Sequence, residues 1–183
     1  MKKVKIFLAA LLSVTVVLGT AVPTYAAEPV SEVKIEVNAT DMNVSVTVPS
    51  TLPIIFNADG TNRFPSNWTI ENVSALAGIH LKQVEMNAGG TGWKLAKDSA
   101  SVKTQAVNGK TVKFFVGVPD NLKLVQPSDG AESETGIASF GQTDICIASG
   151  ETKDLMFAVE RGAFTDTQVS AKAFTMALNF EFN

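Results

Sequence analysis

Residues 174–182 read Phe-Thr-Met-Ala-Leu-Asn-Phe-Glu-Phe, and this stretch decides the fold class. Apolar residues at every second position alternate with smaller or polar ones, as in a β-strand with one face on a core and the other in water. The same alternation recurs along much of the chain, at residues 33–37, 44–48, 79–82, 112–118 and 155–159. No window of useful length shows a convincing helical period, so the pattern predicts strands throughout.

Turn-forming residues separate these alternating runs. Asp59-Gly60 predicts a hairpin because glycine adopts a positive φ at little cost, and Asn108-Gly109 predicts another tight turn. Many short strands with regularly spaced turns are typical of sandwich architectures. We therefore predict an all-β protein, an antiparallel β-sandwich with a jelly-roll-like arrangement of about ten strands.

The N-terminus has the three parts of a secretory signal peptide. Three lysines fall within the first five residues, residues 6–18 are apolar, and Thr24-Tyr25-Ala26 fits a cleavage site. The apolar stretch is shorter than the roughly 20 residues that a membrane-spanning helix needs. We predict that residues 1–26 are removed, and that residues 27–183 form one secreted β-sandwich domain without a transmembrane segment. This domain would be extracellular or held non-covalently at the cell surface.

The charge of the predicted mature chain argues against a nucleic-acid partner. The whole chain has 15 basic and 18 acidic residues. Without the three lysines of the signal peptide, 12 basic residues remain against 18 acidic ones, a net charge of −6. No basic stretch is left to neutralise phosphates, which nucleic-acid binding requires.

Residue types that most catalytic sites need are scarce. His80 is the only histidine, and its position on the polar phase of a strand predicts a solvent-facing side chain. Cys146 is the only cysteine, and the apolar run around it predicts a small buried side chain. A zinc site needs three or four converging ligands. We predict a protein that is not an enzyme. A secreted glycan-acting hydrolase, which needs only two carboxylates, is a less favoured alternative.

The two tryptophans are candidate binding residues with two interpretations each. Trp68 and Trp93 could offer a flat ring to a sugar or to a protein surface. Alternatively, each indole could fill the core, where it would bury a large apolar area.

An acidic loop is the other candidate binding site. It contains Asp129, Glu132 and Glu134. We predict no cofactor, but calcium needs only oxygen ligands. It is the one metal that this loop or the polar turn at residues 57–62 could hold.

The mature chain is predicted to begin with a strand marked by Val33, Ile35 and Val37. Such a strand can pair within its own sheet, or it can be donated to the sheet edge of a neighbouring chain. These three residues are therefore candidate strand-donor residues.

Several short motifs occur in a fixed order before the closing strand. They are Val46-Thr47-Val48-Pro49-Ser50-Thr51-Leu52-Pro53, Asn57-Ala58-Asp59-Gly60, Ile70-Glu71-Asn72-Val73-Ser74, Gly92-Trp93-Lys94-Leu95 and Ile147-Ala148-Ser149-Gly150-Glu151. In this layout the chain resembles small secreted β-sandwich surface proteins of Gram-positive bacteria. The tripeptide at residues 93–95 is similar to the central motif of WxL cell-wall-associated domains. The layout also resembles camelysin and TasA, a family that includes extracellular fibre subunits.

This resemblance implies a non-catalytic cell-surface or cell-wall protein that acts in binding or adhesion. Its partner would be a cell-wall polymer, or an extracellular glycan or protein. The alternative is a subunit of an extracellular fibre or biofilm matrix, self-associated by donation of the N-terminal strand.

Overall fold

The computed structural model describes residues 30–39, 46–58, 60–74, 77–165 and 171–183, with only the backbone described for residues 30–39 and 171. The predicted signal peptide, residues 1–26, lies outside the described residues. The described part of the chain is all-β and contains no helix, which confirms the prediction of an all-β protein. Its strands are β1 (Val30–Ala39), β2 (Val46–Thr47), β3 (Thr51–Phe56), β4 (Asn62–Arg63), β5 (Thr69–Asn72), β6 (Ile79–Asn87), β7 (Lys94–Ala96), β8 (Thr111–Val118), β9 (Asn121–Leu124), β10 (Gln126–Pro127), β11 (Glu132–Ser133), β12 (Thr135–Ser139), β13 (Cys146–Ile147), β14 (Thr152–Asp154), β15 (Met156–Arg161) and β16 (Ala171–Phe182).

These strands form three sheets. The large sheet has the order β10-β12-β6-β16-β1-β3-β4, and β13 pairs with β6 as well. The five-stranded sheet has the order β11-β7-β8-β15, with β9 also on β8, and the three-stranded sheet has the order β14-β5-β2. Nine strands of the described chain have four residues or more, and five have only two. The alternating runs at residues 33–37, 79–82, 112–118, 155–159 and 174–182 overlap longer strands, whereas the described part of the run at residues 44–48 contains only the two-residue β2.

Strand β16 follows the alternation of residues 174–182 closely. Phe174, Met176, Leu178 and Phe180 are buried, and the residues between them are partly exposed. A shift in the pairing with β6 falls between Asn179 and Phe180. This irregularity reverses the alternation of β6. On its C-terminal side the even-numbered residues of β6 are buried, and on its N-terminal side Ile79 and Leu81 face the core.

The sheets are mostly antiparallel, as predicted, with two parallel pairs as exceptions. Strand β1 runs parallel to β16 over residues 31–39, and β7 runs parallel to β8. Strand β1 is also antiparallel to β3, so it lies inside the large sheet of its own chain. Alternation identifies a strand but not its neighbour, which is why the sequence did not predict these two pairs.

One hydrophobic core contains residues from all three sheets. Buried side chains from β3, β6 and β16 of the large sheet join those of β8 and β15, and Ile70 of β5. Three phenylalanine rings surround Trp93, whose centroid lies 5.9 Å from those of Phe56 and Phe164 and 6.2 Å from that of Phe174. Aromatic pairs at these separations contribute about 0.5–1.5 kcal/mol beyond the area they bury.

Candidate functional site

The two candidate tryptophans are core residues in the structure. Trp68 and Trp93 are each only 2% exposed. The Trp68 ring packs edge-on against Phe157, with 5.2 Å between centroids, and its Nε1 donates to the Thr51 carbonyl oxygen over 3.2 Å. Both rings are buried, as the packing interpretation predicts, and neither offers a face to a ligand.

The acidic side chains of this loop do not converge on a common point, and two of them bond to different neighbours. Glu134 accepts a hydrogen bond from the Gly90 N–H over 3.0 Å, and Glu132 accepts one from Thr111 Oγ1 over 3.4 Å. Asp129 is exposed. Within the described residues, no group of three or more histidine, cysteine or acidic side chains could hold a metal ion.

The polar turn at residues 57–62, the other calcium candidate, contacts a buried guanidinium. Arg161 Nη2 donates to the carbonyl oxygens of Asn57 (2.6 Å) and Thr61 (3.1 Å), and Nε donates to Asn62 Oδ1 (2.7 Å). Three oxygens that could have served as calcium ligands therefore accept hydrogen bonds from a cation. The positive charge of Arg161 opposes a second cation at this turn.

His80 is not solvent-facing, and this prediction is wrong. The side chain is only 5% exposed. His80 points to the outer face of β6, as the alternation predicted. On that face its cross-strand partners are Cys146 on β13 and Glu181 on β16. His80 Nδ1 lies 3.0 Å from Asn183 Oδ1, and Nε2 lies 3.8 Å from Glu181 Oε2. The end of the chain therefore covers a residue that would otherwise contact water.

Cys146 is exposed, so the prediction of a buried cysteine is also wrong. Its two apolar neighbours, Ile145 and Ile147, are buried, and Cys146 on β13 points to the opposite, exposed face. Its Sγ lies 3.0 Å from the Gln142 carbonyl oxygen as the donor of a hydrogen bond. The apolar run around Cys146 is thus a short alternating strand rather than a fully buried one.

A shallow open groove lies on the face of the large sheet that is turned away from the core. It has a volume of about 400 Å³ and crosses β12, β6 and β16. This volume falls at the lower end of the range for small-ligand sites. Its lining residues are Glu85, Met86, Asn87, Ser128, Thr135, Gly136, Ile137, Thr175 and Ala177.

Strand register places the groove residues in two rows across the sheet. In one row Glu85 of β6 lies between Ile137 of β12 and Ala177 of β16. In the next row Asn87 lies between Thr135 and Thr175, on the same three strands. One row therefore has a carboxylate between two apolar side chains, and the other has an amide between two hydroxyls.

Two amides hold the Glu85 carboxylate in place. Its Oε1 accepts a hydrogen bond from Gln83 Nε2 over 2.9 Å and another from Asn179 Nδ2 over 2.8 Å. Gln83 and Asn179 are themselves cross-strand partners on β6 and β16. Charge-assisted hydrogen bonds of this kind are stronger than neutral ones, so they orient the carboxylate before any ligand arrives.

Sequence reasoning missed the groove: it recognised β6 and β16 as strands, but it did not identify β12. The groove residues are the polar phase of β6 and β16, which the alternation places in water. What the sequence does not show is that β12 pairs with β6, and so adds Thr135 and Ile137 beside them. The signal that could have found the site was the concentration of amides and hydroxyls on one phase of two strands.

A second polar cluster precedes β13 and lies outside the groove lining. It lowers the pKa of an aspartate. Asp144 accepts hydrogen bonds from the Lys123 ammonium, from the Gly141 N–H and from Asn121. The hydrogen bond from Lys123, followed by that from Gly141, lowers the pKa of Asp144 below its ordinary value of 3.8. The same Lys123 lies 5.0 Å from the Phe140 ring centroid, so this cluster fastens the loop to β9.

Comparisons with protein-family models, curated proteins and solved structures gave no match. Within its described residues the chain has no helix with the length and apolar character needed to cross a membrane.

Proposed function

We propose that this protein is a secreted, non-catalytic binding protein of a Gram-positive cell surface or cell wall. Its ligand is a surface polymer that lies in the groove across β12, β6 and β16. The observation that carries the proposal is the groove itself, an open surface of oriented carboxylate, amide and hydroxyl groups around the apolar Ile137 and Ala177. Sugar polymers present the same mixture of hydroxyls and apolar ring faces.

A binding role fits the groove better than hydrolysis. Glycoside hydrolysis needs two carboxyl groups on opposite sides of the bond that is cut. Glu85 is the only acidic residue among the groove-lining residues of the described chain. One carboxylate oriented by two amides can recognise a ligand, but it cannot supply both the acid and the second carboxylate.

The location and architecture in this proposal come from the sequence. The signal-peptide pattern at residues 1–26 supports export, and the likeness of residues 93–95 to the WxL motif supports wall association. We also propose that the large sheet and the five-stranded sheet pack face to face as a jelly-roll-like sandwich. The shared core of their buried strands supports this arrangement.

Sedimentation with isolated Gram-positive cell walls tests the proposal. The purified protein should pellet with walls and stay in solution without them. Thr175→Trp puts a large ring into the groove, and we expect it to abolish pelleting. Thr152→Trp is the matched control, because Thr152 is an exposed strand residue of β14, outside the groove lining. Wall binding that survives Thr175→Trp in a folded protein would refute the groove as the binding site.

One observation favours a second function, a subunit of a fibre or biofilm matrix. Strand β1 fills a slot between β16 and β3, and without it both of these strands would have an unpaired edge. It lies directly after the predicted cleavage site. Donation of Val33, Ile35 and Val37 to the same slot of a neighbouring chain would preserve the pairing and link the two chains.

A cross-link distinguishes the two arrangements of β1. Asn38 and Asn179 are register partners on β1 and β16. Cysteines at both positions, in a Cys146→Ser background, would join residues of one chain if β1 stays in its own sheet. Strand donation would instead give a ladder of disulfide-linked chains on a non-reducing gel. A second test is deletion of residues 27–38, which should abolish assembly if β1 is donated.

A further inference from the structure

We propose that the groove selects glycans that carry a free amino group, and that Glu85 is the residue that selects them. This inference rests on the proposed function, since it names the ligand class of the same groove. The chemistry that it requires is a primary ammonium attached to a sugar ring, as in a deacetylated hexosamine polymer.

The Glu85 carboxylate has one oxygen available to a ligand. Its Oε1 already accepts from Gln83 and Asn179, whereas Oε2 has no hydrogen-bond or ion-pair partner within the described residues. The two amides favour one orientation of the exposed carboxylate, which reduces the side-chain entropy lost when a cation binds. An ammonium group donating to Oε2 would form a charge-assisted hydrogen bond.

The neighbours of Glu85 favour a sugar ring over a bare cation. Ile137, which is 39% exposed, and Ala177 lie on either side of it across the strands. These side chains give an apolar surface for the carbon face of a ring, while Thr135, Thr175 and Asn87 in the next row suit its hydroxyls. A divalent metal would need several converging carboxylates, and the groove lining contains one.

The charge around the groove favours a cationic ligand. Glu85 carries the only charge among the lining residues that the structure describes. Asp129 directly follows the lining residue Ser128, and it adds negative charge at that end. Strand β1 places Lys34 and Glu36 at the register positions next to Thr175 and Ala177, and their opposite charges cancel to a first approximation.

Calorimetric titration of the purified full-length mature protein with chitosan and chitin oligosaccharides of equal length tests this inference. The two probes have the same backbone, but chitosan carries free amines and chitin carries acetylated ones. We expect chitosan to bind about tenfold or more tightly, and the difference to shrink as the salt concentration rises. Glu85→Gln keeps the side-chain shape and the Oε1 acceptor, and it should remove that preference.

Glu71→Gln is the matched control, because Glu71 is a partly exposed strand residue of β5, outside the groove lining. It should leave the binding of both probes unchanged, and thermal unfolding checks that each variant is folded. Equal binding of chitin and chitosan, or a preference that survives Glu85→Gln, overturns the selection by Glu85.

Two outcomes separate this inference from the proposed function. If neither oligosaccharide binds, but wall binding is still lost in Thr175→Trp, the groove is the binding site and the amino-glycan class is wrong. If wall binding is unaffected by Thr175→Trp, the proposed function itself is wrong. Tenfold preference for chitosan that is lost in both Glu85→Gln and Thr175→Trp supports both.

Discussion

Replacing Arg161 by lysine should destabilise the protein strongly, because the guanidinium fastens a distant hairpin to β15. Arg161 is 7% exposed. Its three nitrogens donate to Asn57, Thr61, Asn62 and Gly162, and its Cζ lies 4.9 Å from one phenylalanine ring centroid and 5.2 Å from another. A lysine ammonium has its three donors on one nitrogen and cannot reach acceptors spread around a planar fork.

The expected loss follows from these contacts. We take two of the four hydrogen bonds as lost, each contributing about 1.5 kcal/mol, the lower end for charged donors, because water can replace the guanidinium at the exposed turn. Weaker contact with the aromatic rings adds about 0.5–1 kcal/mol. Arg161→Lys should therefore lower the free energy of unfolding by about 3.5–4 kcal/mol, and the melting temperature by about 10 °C.

Urea denaturation followed by tryptophan fluorescence measures this change. Trp68 and Trp93 are the only tryptophans, and both are buried, so their emission reports on the core. Arg63→Lys is the control, because Arg63 is exposed on β4 of the same hairpin, and we expect a change within about 0.5 kcal/mol. An Arg161→Lys variant within about 1 kcal/mol of the parent, with an unchanged dependence on urea, would refute the reasoning.

Three further predictions concern packing, pH and thiol exposure. Gly136→Ala would put a Cβ 2.6 Å from the Gln126 carbonyl oxygen, so we expect a loss of about 2 kcal/mol or more on urea denaturation, and a fully stable variant would show that β10 is not held this close. The lowered pKa of Asp144 favours its ionised form in the folded state, so the stabilising contribution is present above the ordinary value of 3.8 and is lost as the pH falls below it. The stability difference between the parent and Asp144→Asn should therefore be largest above about pH 5 and shrink in acid, and a pH-independent difference would contradict the contact with Lys123. Cys146 should react with a maleimide in the native protein without denaturant, and protection until unfolding would mean that its side chain is buried after all.

Ligand binding in the groove and assembly by strand donation depend on β1 in different ways. Binding in the groove needs β16 to stay paired with β6, and it does not depend on which chain supplies β1. Assembly depends only on the slot between β16 and β3. The two functions are therefore compatible in one molecule, and the Thr175→Trp variant and the Asn38–Asn179 cross-link test them separately.

The local pattern of residues determined the fold class and the longer strands. Alternation at residues 174–182 is a property of one short segment, because successive side chains of any strand point to opposite faces. The turn at Asn57 and Gly60 could be predicted for the same reason, since positive φ is a property of one residue, and Gly60 has a φ of 88°. These features need no knowledge of what packs against them.

Tertiary structure alone decided which of these strands become neighbours, and with them every feature of the groove. Glu85, Ile137 and Ala177 share a row only because β12 and β16 flank β6. His80 became buried because the last residues of the chain cover it, and Arg161 reaches back about a hundred positions to Asn57 and Thr61. The physical reason is that strand pairing satisfies generic backbone donors and acceptors, which every residue except proline carries alike. The choice of partner depends instead on how all the apolar faces are buried together.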